Sequence, residues 1–452
     1  MNLDRFENIY FVGIGGIGMS ALARYFHQTG KRVLGYDRVL SPLCVQLQKE
    51  GMMIHVEDLG SDVGKLGLNP ENTLVIITPA IPIDHGEKEY FEKQGFVIQK
   101  RAQVLGLLTE KMKGLTVAGT HGKTTTSTLL AHVLKGTMRK SSAFLGGISS
   151  NYNTNLLIDK ESDWVVVEAD EFDRSFLYLR PFAAIITSTD ADHLDIYKNK
   201  KDFLSAFQQF TELVVEDGIV IRQVDAEVNP SVKSFSYAVN QKADYQAYNL
   251  RVEQGYFVMD VATPHKEMLH VELGLPGIHN AENALSVIAL LDQLNVEEHE
   301  VRSGLKTFKG VKRRFEYHIR RENLVYIDDY AHHPTEIDQL IKSVRMMYPG
   351  KKITAIFQPH LFSRTQDFMD QFALALSKSD ETFLLPIYPA REEPIKGVTS
   401  AALAEKMSND VRLIDSDQDV LEIVGKNEMD VVLTIGAGDI DRIVEPLKLK
   451  LS

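Results

Sequence analysis

The sequence predicts an α/β protein of several domains built on parallel sheets, and three observations carry that reading. Short apolar runs alternate with helical patterns along nearly the whole chain, as strands joined by crossover helices do and as a sandwich or bundle does not. Several runs, such as Val165-Val166-Val167 before Glu168, are continuously apolar, as expected of strands buried on both faces. The 452 residues are also too many for one sheet at roughly 100–200 residues per domain. Cuts are therefore expected near Glu110 and near Arg314.

Residues 9–12, 32–36, 74–78, 115–118, 164–167, 183–187, 353–357 and 431–435 are the expected strands. Residues 218–273 alternate more like antiparallel β, which predicts a mixed sheet in the middle domain. A composition of 44% apolar and 25% charged residues, with 30 Gly and 15 Pro, excludes disordered, collagen-like and coiled-coil classes. With 50 Lys+Arg against 62 Asp+Glu the net charge is -12, a field that repels an extended phosphate backbone. Nucleic acid is not an expected partner. Cys44 is the single cysteine, so no intramolecular disulfide forms, and a cytoplasmic setting is expected. The apolar stretch 9–23 follows Asp4 and Glu7, where a signal peptide would carry basic residues, and it reads instead as strand, turn and helix. No window holds 18 uncharged apolar residues, so no transmembrane helix or membrane insertion is expected.

The first strand-to-helix turn reads Gly13-Ile14-Gly15-Gly16-Ile17-Gly18. Such a turn lets the backbone approach a diphosphate at a helix N-terminus. Asp37 ends the next strand, where an acid can take a ribose hydroxyl. A tight turn packed for steric reasons alone is the competing reading. Gly119-Thr120-His121-Gly122-Lys123-Thr124-Thr125-Thr126 makes a second cradle between strand and helix, with Lys123 for terminal phosphates and Thr124 for Mg²⁺. It departs from the standard motif in having Val117 where the first Gly would stand. Two such turns imply two phosphorylated ligands, one of them ATP.

Glu168-Ala169-Asp170-Glu171 closes an apolar strand, and a carboxylate at that edge faces the crevice ligands use. Glu168 is a candidate metal ligand. Asp190-Ala191-Asp192-His193-Leu194-Asp195 follows the next strand, making His193 a second candidate. Farther on come His279-Asn280-Ala281-Glu282-Asn283, Lys312-Arg313-Arg314-Phe315-Glu316 and Asp328-Asp329-Tyr330-Ala331-His332-His333-Pro334-Thr335-Glu336. An Asn-rich helix start can read an adenine edge, an Arg pair can neutralise phosphate, and a strand-end carboxylate can hold ribose. Helix capping, a linker and ordinary loop chemistry are the bland counterparts. Pro334 marks a helix start. Gln358-Pro359-His360-Leu361-Phe362-Ser363-Arg364 sets His360 and Arg364 at another sheet edge, where Arg364 can clamp a carboxylate or simply face water.

In this order the motifs resemble the Mur ligase family, ATP-dependent amide-forming enzymes of peptidoglycan stem-peptide synthesis, from residue 9 to about 445. The closing Gly436-Ala437-Gly438-Asp439-Ile440 fits the same pattern. The resemblance implies a Rossmann-like UDP-sugar-binding domain at 1–109, a central P-loop ATPase domain with a mixed sheet at 110–314, and a Rossmann-like amino-acid-binding domain at 315–452. The first Gly-rich turn, with Gly13, Gly15, Gly16, Gly18 and Asp37, would then hold a UDP sugar and not NAD. The motif set points within the family to members that join L-alanine to UDP-N-acetylmuramate through an acyl phosphate. Lys123 would stabilise the transferring phosphoryl group, Thr124 and Glu168 would hold one Mg²⁺ and His193 a second. Gly119, Thr120, His121, Gly122, Thr125, His279, Asn280, Asn283, Arg314 and Asp329 would bind ATP. His333, His360 and Arg364 would face substrate, His360 with a catalytic part.

Two departures stand out. Gln208 occupies the position at which some relatives carry a carbamylated lysine, so no modified lysine is expected. Leu361 stands where many alanine-adding members have Arg, which shifts carboxylate capture toward Arg364. Three other functions compete: a ligase that recycles a whole tripeptide onto the same sugar, a non-catalytic nucleotide-binding homologue, and a nicotinamide dehydrogenase.

Overall fold

The computed structural model describes residues 1–452 apart from 83, 191–196, 198, 391 and 425–428. The chain forms two compact units, Met1–Gln246 with Asn283–Gly304, and Ala247–Glu282 with Leu305–Ser452.

The first unit opens with β1 (Asn8–Val12), β2 (Arg32–Tyr36), β3 (Met53–His55), β4 (Thr73–Ile77) and β5 (Val97–Lys100), ordered β3-β2-β1-β4-β5. All pairs are parallel, and all five residues of β1 are buried. Strand order reverses at β1, so the turn after it opens into a switch-point crevice. Next come β6 (Lys113–Ala118), β7 (Ser142–Phe144), β8 (Leu156–Leu157), β9 (Trp164–Glu168), β10 (Pro181–Ile186), β11 (Ile219–Gln223) and β12 (Lys233–Val239). Their order is β12-β11-β10-β6-β9-β7-β8. Here β6 lies between β9 and β10, with Val117 in register with Glu168 on one side and Ile185 on the other. That register carries the loop after β6 to the ends of both neighbours.

β13 (Tyr245–Glu253) leads into the second unit, where β14 (Tyr256–Ala262) and β15 (Glu267–Leu273) pair antiparallel. A six-stranded sheet follows from β16 (Glu316–Arg320), β17 (Val325–Asp329), β18 (Ile353–Phe357), β19 (Glu381–Leu384), β20 (Asp410–Leu413) and β21 (Val431–Ile435), ordered β16-β17-β21-β18-β19-β20. Only β16 runs antiparallel within it.

The expected strands all form, with ends moved by a residue or two. The antiparallel reading of residues 218–273 holds for β14 and β15 and needs correction at β11, which runs parallel to both β10 and β12. Residues of β12 are exposed or half-buried over its first four positions, so this parallel strand lacks the continuous apolar run of strands covered on both faces. Among the described residues no helix is long and apolar enough to cross a membrane.

Candidate active site

The loop after β6 owes its path to two glycines. Gly119 has φ +136, and a Cβ on it would come within 2.1 Å of Thr187 Oγ1. Gly122 has φ +79, and its Cβ would come within 2.6 Å of Asn283 Oδ1. Both positions exclude side chains on backbone and on space. The loop is pinned to the end of β10: Thr187 Oγ1 donates to Ala118 O, Ser188 Oγ accepts from His121 N, and Thr120 Oγ1 donates to Asp190 O. The helix Lys123–Lys135 then starts with no side-chain cap and no acid in its first turn, so its free N–H groups suit an anion. Thr124 and Thr125 are buried in that turn.

Two carboxylates of the β9 end reach this helix. Lys123 Nζ donates to Glu171 Oε1 at 2.8 Å, to Gly119 O at 2.6 Å and to Thr120 O at 3.4 Å. Burial pushes the Glu171 carboxyl above its ordinary range while Lys123 opposes the shift. Thr124 Oγ1 donates to Glu168 Oε1 at 3.2 Å. Gly146 makes room for Glu168, since a Cβ there would stand 2.0 Å from Glu168 Oε2. A hydroxyl and a carboxylate side by side, all oxygen, match the donors that Mg²⁺ prefers.

Glu168 also lines a cavity of about 250 Å³ that reaches the first glycine turn. Gly16, Gly18, Arg101, Gly146, Glu168 and Asp170 supply its polar wall. Arg101 lies over Gly18, where a Cβ would meet its Nη1 at 2.6 Å, and its Nη2 pairs with Asp170 Oδ2 at 3.1 Å. Gly13 has φ +91 and packs on Thr78; Gly15 packs on Cys44 and Asp37. Asp37 turns back on the loop, accepting from Gly15 N at 2.8 Å and Val39 N at 3.2 Å. It therefore fixes the turn with the atoms a ribose would use. Asn155 holds the following helix in place through Ile17 O and Ser20 Oγ.

The second unit collects the later motifs. His279 is driven down to about 4 by burial, with Arg314 adding to the shift and Glu336 opposing it. Asn280 Nδ2 donates to Pro276 O at 2.7 Å, tying its side chain to the segment just before it. Asp329 accepts from Phe315 N at 2.7 Å and Ala331 N at 2.8 Å, yet burial lifts its carboxyl to about 7. His333 caps the helix Pro334–Met347, as Pro334 announced, and Glu336 completes a capping box. His360 stacks on Tyr388 at 5.7 Å between centroids, and burial, with Arg364 adding to it, lowers the imidazole to about 4. Leu361 sits at φ +72 and ψ 136, a strained conformation for a branched side chain. Its N–H donates to Tyr388 O and its carbonyl accepts from Thr365 Oγ1.

The predicted residues thus fall into two groups. Gly119, Thr120, His121, Gly122, Lys123, Thr124, Thr125, Glu168 and Asn283 gather around the loop, and Gly16 and Gly18 reach Glu168 through the cavity. His279, Arg314 and Asp329 form a separate cluster in the second unit. His193 lies outside the described residues. Gln208 uses both ends of its amide on the Asn229 backbone, a neutral role with no lysine equivalent. Glu171 was visible as part of an acidic run but not as the partner of Lys123. Arg101 and Gly146 carried no motif.

Three domain profiles of one family match the chain: "Mur ligase family, catalytic domain" over residues 8–113, "Mur ligase middle domain" over 117–291 and "Mur ligase, glutamate ligase domain" over 313–438. The chain is 49% identical to the UDP-N-acetylmuramate--L-alanine ligase of Porphyromonas gingivalis strain W83, covering 98% of each chain. It is 46% identical to the ligase of the same description from Parabacteroides distasonis, covering 99% of this chain and 98% of the other. Among solved structures it resembles the UDP-N-acetylmuramate-alanine ligase of Thermotoga maritima, with a TM-score of 0.85, 30% identity, and coverage of 98% and 99%.

Proposed function

The chain belongs to the Mur ligase family, and from that premise we propose that it joins L-alanine to the lactyl carboxylate of UDP-N-acetylmuramate at the expense of ATP. The observation that carries this reading is the cavity lined by both the first glycine turn and Glu168. A sugar nucleotide held at Gly16 and Gly18 projects its acid toward the carboxylate that Thr124 touches, at the helix end of the phosphate loop.

The reaction has two steps. A lactyl carboxylate oxygen attacks the γ-phosphorus; the new O–P bond forms as the bond to the β–γ bridging oxygen breaks, and ADP leaves. The alanine amine, as the free base, then attacks the carbonyl carbon, phosphate departs, and the nitrogen loses a proton. In this reading Lys123 meets charge growing on the transferring phosphoryl group. The N–H groups opening the helix Lys123–Lys135 bind the phosphates. Arg101 is suited to hold the acid substrate in place. Thr124 and Glu168 would hold one Mg²⁺, which supplies charge neutralisation at the phosphates, and His193 belongs to a second ion in this proposal. His279, Asn280, Asn283, Arg314 and Asp329 serve the nucleotide, while His333, His360 and Arg364 serve the amino acid and its entry. Asp37 acts through the turn it fixes. Domain limits of 1–109, 110–314 and 315–452 and a cytosolic setting complete the reading.

Mass spectrometry of the product from UDP-N-acetylmuramate, ATP and a mixture of L-alanine, glycine, L-serine and the stem tripeptide tests it. The expected product is the L-alanyl adduct, with ADP and phosphate in equal amounts. A pocket fitted to one methyl group favours alanine over glycine by only about 1–3 kcal/mol, so minor glycyl product is consistent. Predominant tripeptide adduct overturns the assignment.

A further inference from the structure

Lys123 has no donor left to offer a phosphate. An ammonium carries three protons and no acceptor, and here they are directed to Glu171 Oε1, Gly119 O and Thr120 O. Two of these partners are neutral carbonyls of the loop itself. The third is a carboxylate whose side chain is 1% exposed. A nucleotide phosphate that takes up Lys123 therefore competes with an anion already seated.

The seat of that anion is built into the chain path. Beyond β9 the segment Phe172–Tyr178 passes through Asp173 and Arg174, both at φ 52, a conformation that must be held by its surroundings. Phe176 holds it, stacked on Phe210 at 4.8 Å between centroids and edge-on to Phe207 at 5.2 Å. Tyr197 OH donates to Glu171 O at 2.6 Å. Glu171 cannot readily follow Lys123 toward a ligand, nor turn outward to water.

Resting on the reading that Lys123 serves the nucleotide phosphates, we propose that Glu171 is a positioning residue that holds Lys123 in the empty loop and competes with the β- and γ-phosphates for it. Nucleotide entry exchanges a carboxylate for a phosphate at one ammonium. Departure of ADP restores the pair. Loss of the 2.8 Å Lys123–Glu171 contact raises the free energy of the occupied state, so Glu171 weakens nucleotide binding and speeds product release. Its neighbour Asp170 stands in the same relation to Arg101 on the cavity side, though that pair is more exposed.

The sign of the effect separates this role from a merely structural one. Glu171→Gln keeps the size of the side chain and removes its charge. Calorimetric titration with Mg²⁺-ADP is expected to give a dissociation constant about five- to tenfold lower than wild type, the scale of one charge-assisted contact exchanged. Steady-state kinetics are expected to show KM for ATP and kcat falling together, as slower product release requires. Damage to the fold would weaken binding instead. Lys123→Met is titrated in parallel, alone and combined with Glu171→Gln. Weaker binding in Lys123→Met and no gain from Glu171→Gln in its presence are expected. Undiminished ADP binding in Lys123→Met overturns the phosphate reading of the loop. Weakened binding there, with Glu171→Gln unchanged or weaker, overturns the competition alone. Should Glu171→Gln not fold, Glu171→Asp replaces it: the shortened carboxylate loosens the pair, so tighter ADP binding supports the proposal and unchanged or weaker binding sinks it.

Discussion

The Thr124 hydroxyl donates to Glu168 Oε1 across 3.2 Å, tying the first turn of the helix Lys123–Lys135 to the last residue of β9. The contact joins the two oxygens proposed for Mg²⁺ before any metal arrives, so the ion meets a preset pair. Thr124→Val keeps the shape and deletes the oxygen. The expected result is about a 10–100-fold loss in Mg²⁺ affinity, read from a Mg²⁺ titration of turnover. The melting temperature should fall only by a few degrees, because one hydrogen bond is worth about 1 kcal/mol net. A wild-type Mg²⁺ response would remove Thr124 from the metal site.

Gly146→Ala tests the same carboxylate from its other side. The added methyl would stand 2.0 Å from Glu168 Oε2 and 2.5 Å from its Cδ, so Glu168 has to leave its place beside Thr124. The backbone at Gly146 lies outside the left-handed region, and the methyl itself costs little in conformation. Turnover is therefore expected to fall about 100-fold or more, with ADP still able to bind the loop. Activity close to wild type would mean that Glu168 works from another rotamer.

Gly122→Ala should behave differently, because it fails on two counts. At φ +79 an L side chain costs about 1–3 kcal/mol, and the methyl would press on Asn283 Oδ1 at 2.6 Å. Loss of nucleotide binding and of stability should appear together. Differential scanning fluorimetry checks this: the variant should melt lower, and saturating Mg²⁺-ADP should no longer raise its melting point. A ligand-induced shift equal to wild type would show that the loop tolerates the methyl.

How much of this was legible in the sequence follows from the range of the forces involved. Strands such as 353–357 and 431–435 declare themselves by continuous apolar runs, and glycines that open a helix after a strand declare a cradle. Gly119 and Gly122 needed only local backbone reasoning. Gly146 did not, because its importance arises from the parallel register of β7 on β9, which pairs Phe144 with Val167 and so brings Gly146 up to Glu168. Arg101 reaches Gly18 from the residue after β5, across a crossover that no spacing encodes. Within the acidic run 168–171 the sequence singled out Glu168 as a metal ligand and assigned Glu171 no role. That Glu168 meets Thr124 while Glu171 meets Lys123 depends on how the chain leaves β9, and neither periodicity nor propensity foretells that path. The antiparallel reading failed at β11, which pairs parallel on both sides, because alternation along one strand does not encode the direction of its neighbours.

His279 offers a test of the second cluster through pH. Its Nδ1 is buried without a hydrogen-bond partner among the described residues, and the imidazole is lowered from the ordinary 6.5 to about 4, chiefly by burial. The ring is thus neutral at pH 7. Because the unfolded chain binds this proton more readily than the folded one, the stabilising contribution is full above the unfolded value and declines as pH drops from about 6.5 toward about 4. Between about pH 7.5 and about pH 4.5 the loss amounts to roughly 2–3 kcal/mol for a shift of this size. His332 and His360 titrate in the same direction, so the wild-type slope alone does not isolate His279. The comparison with His279→Asn does: urea unfolding at the two pH values should show the variant losing less stability on acidification than wild type, by about 2 kcal/mol. Equal losses would mean that His279 takes up its proton in the folded protein as readily as in the unfolded chain, so that burial does not hold the ring neutral.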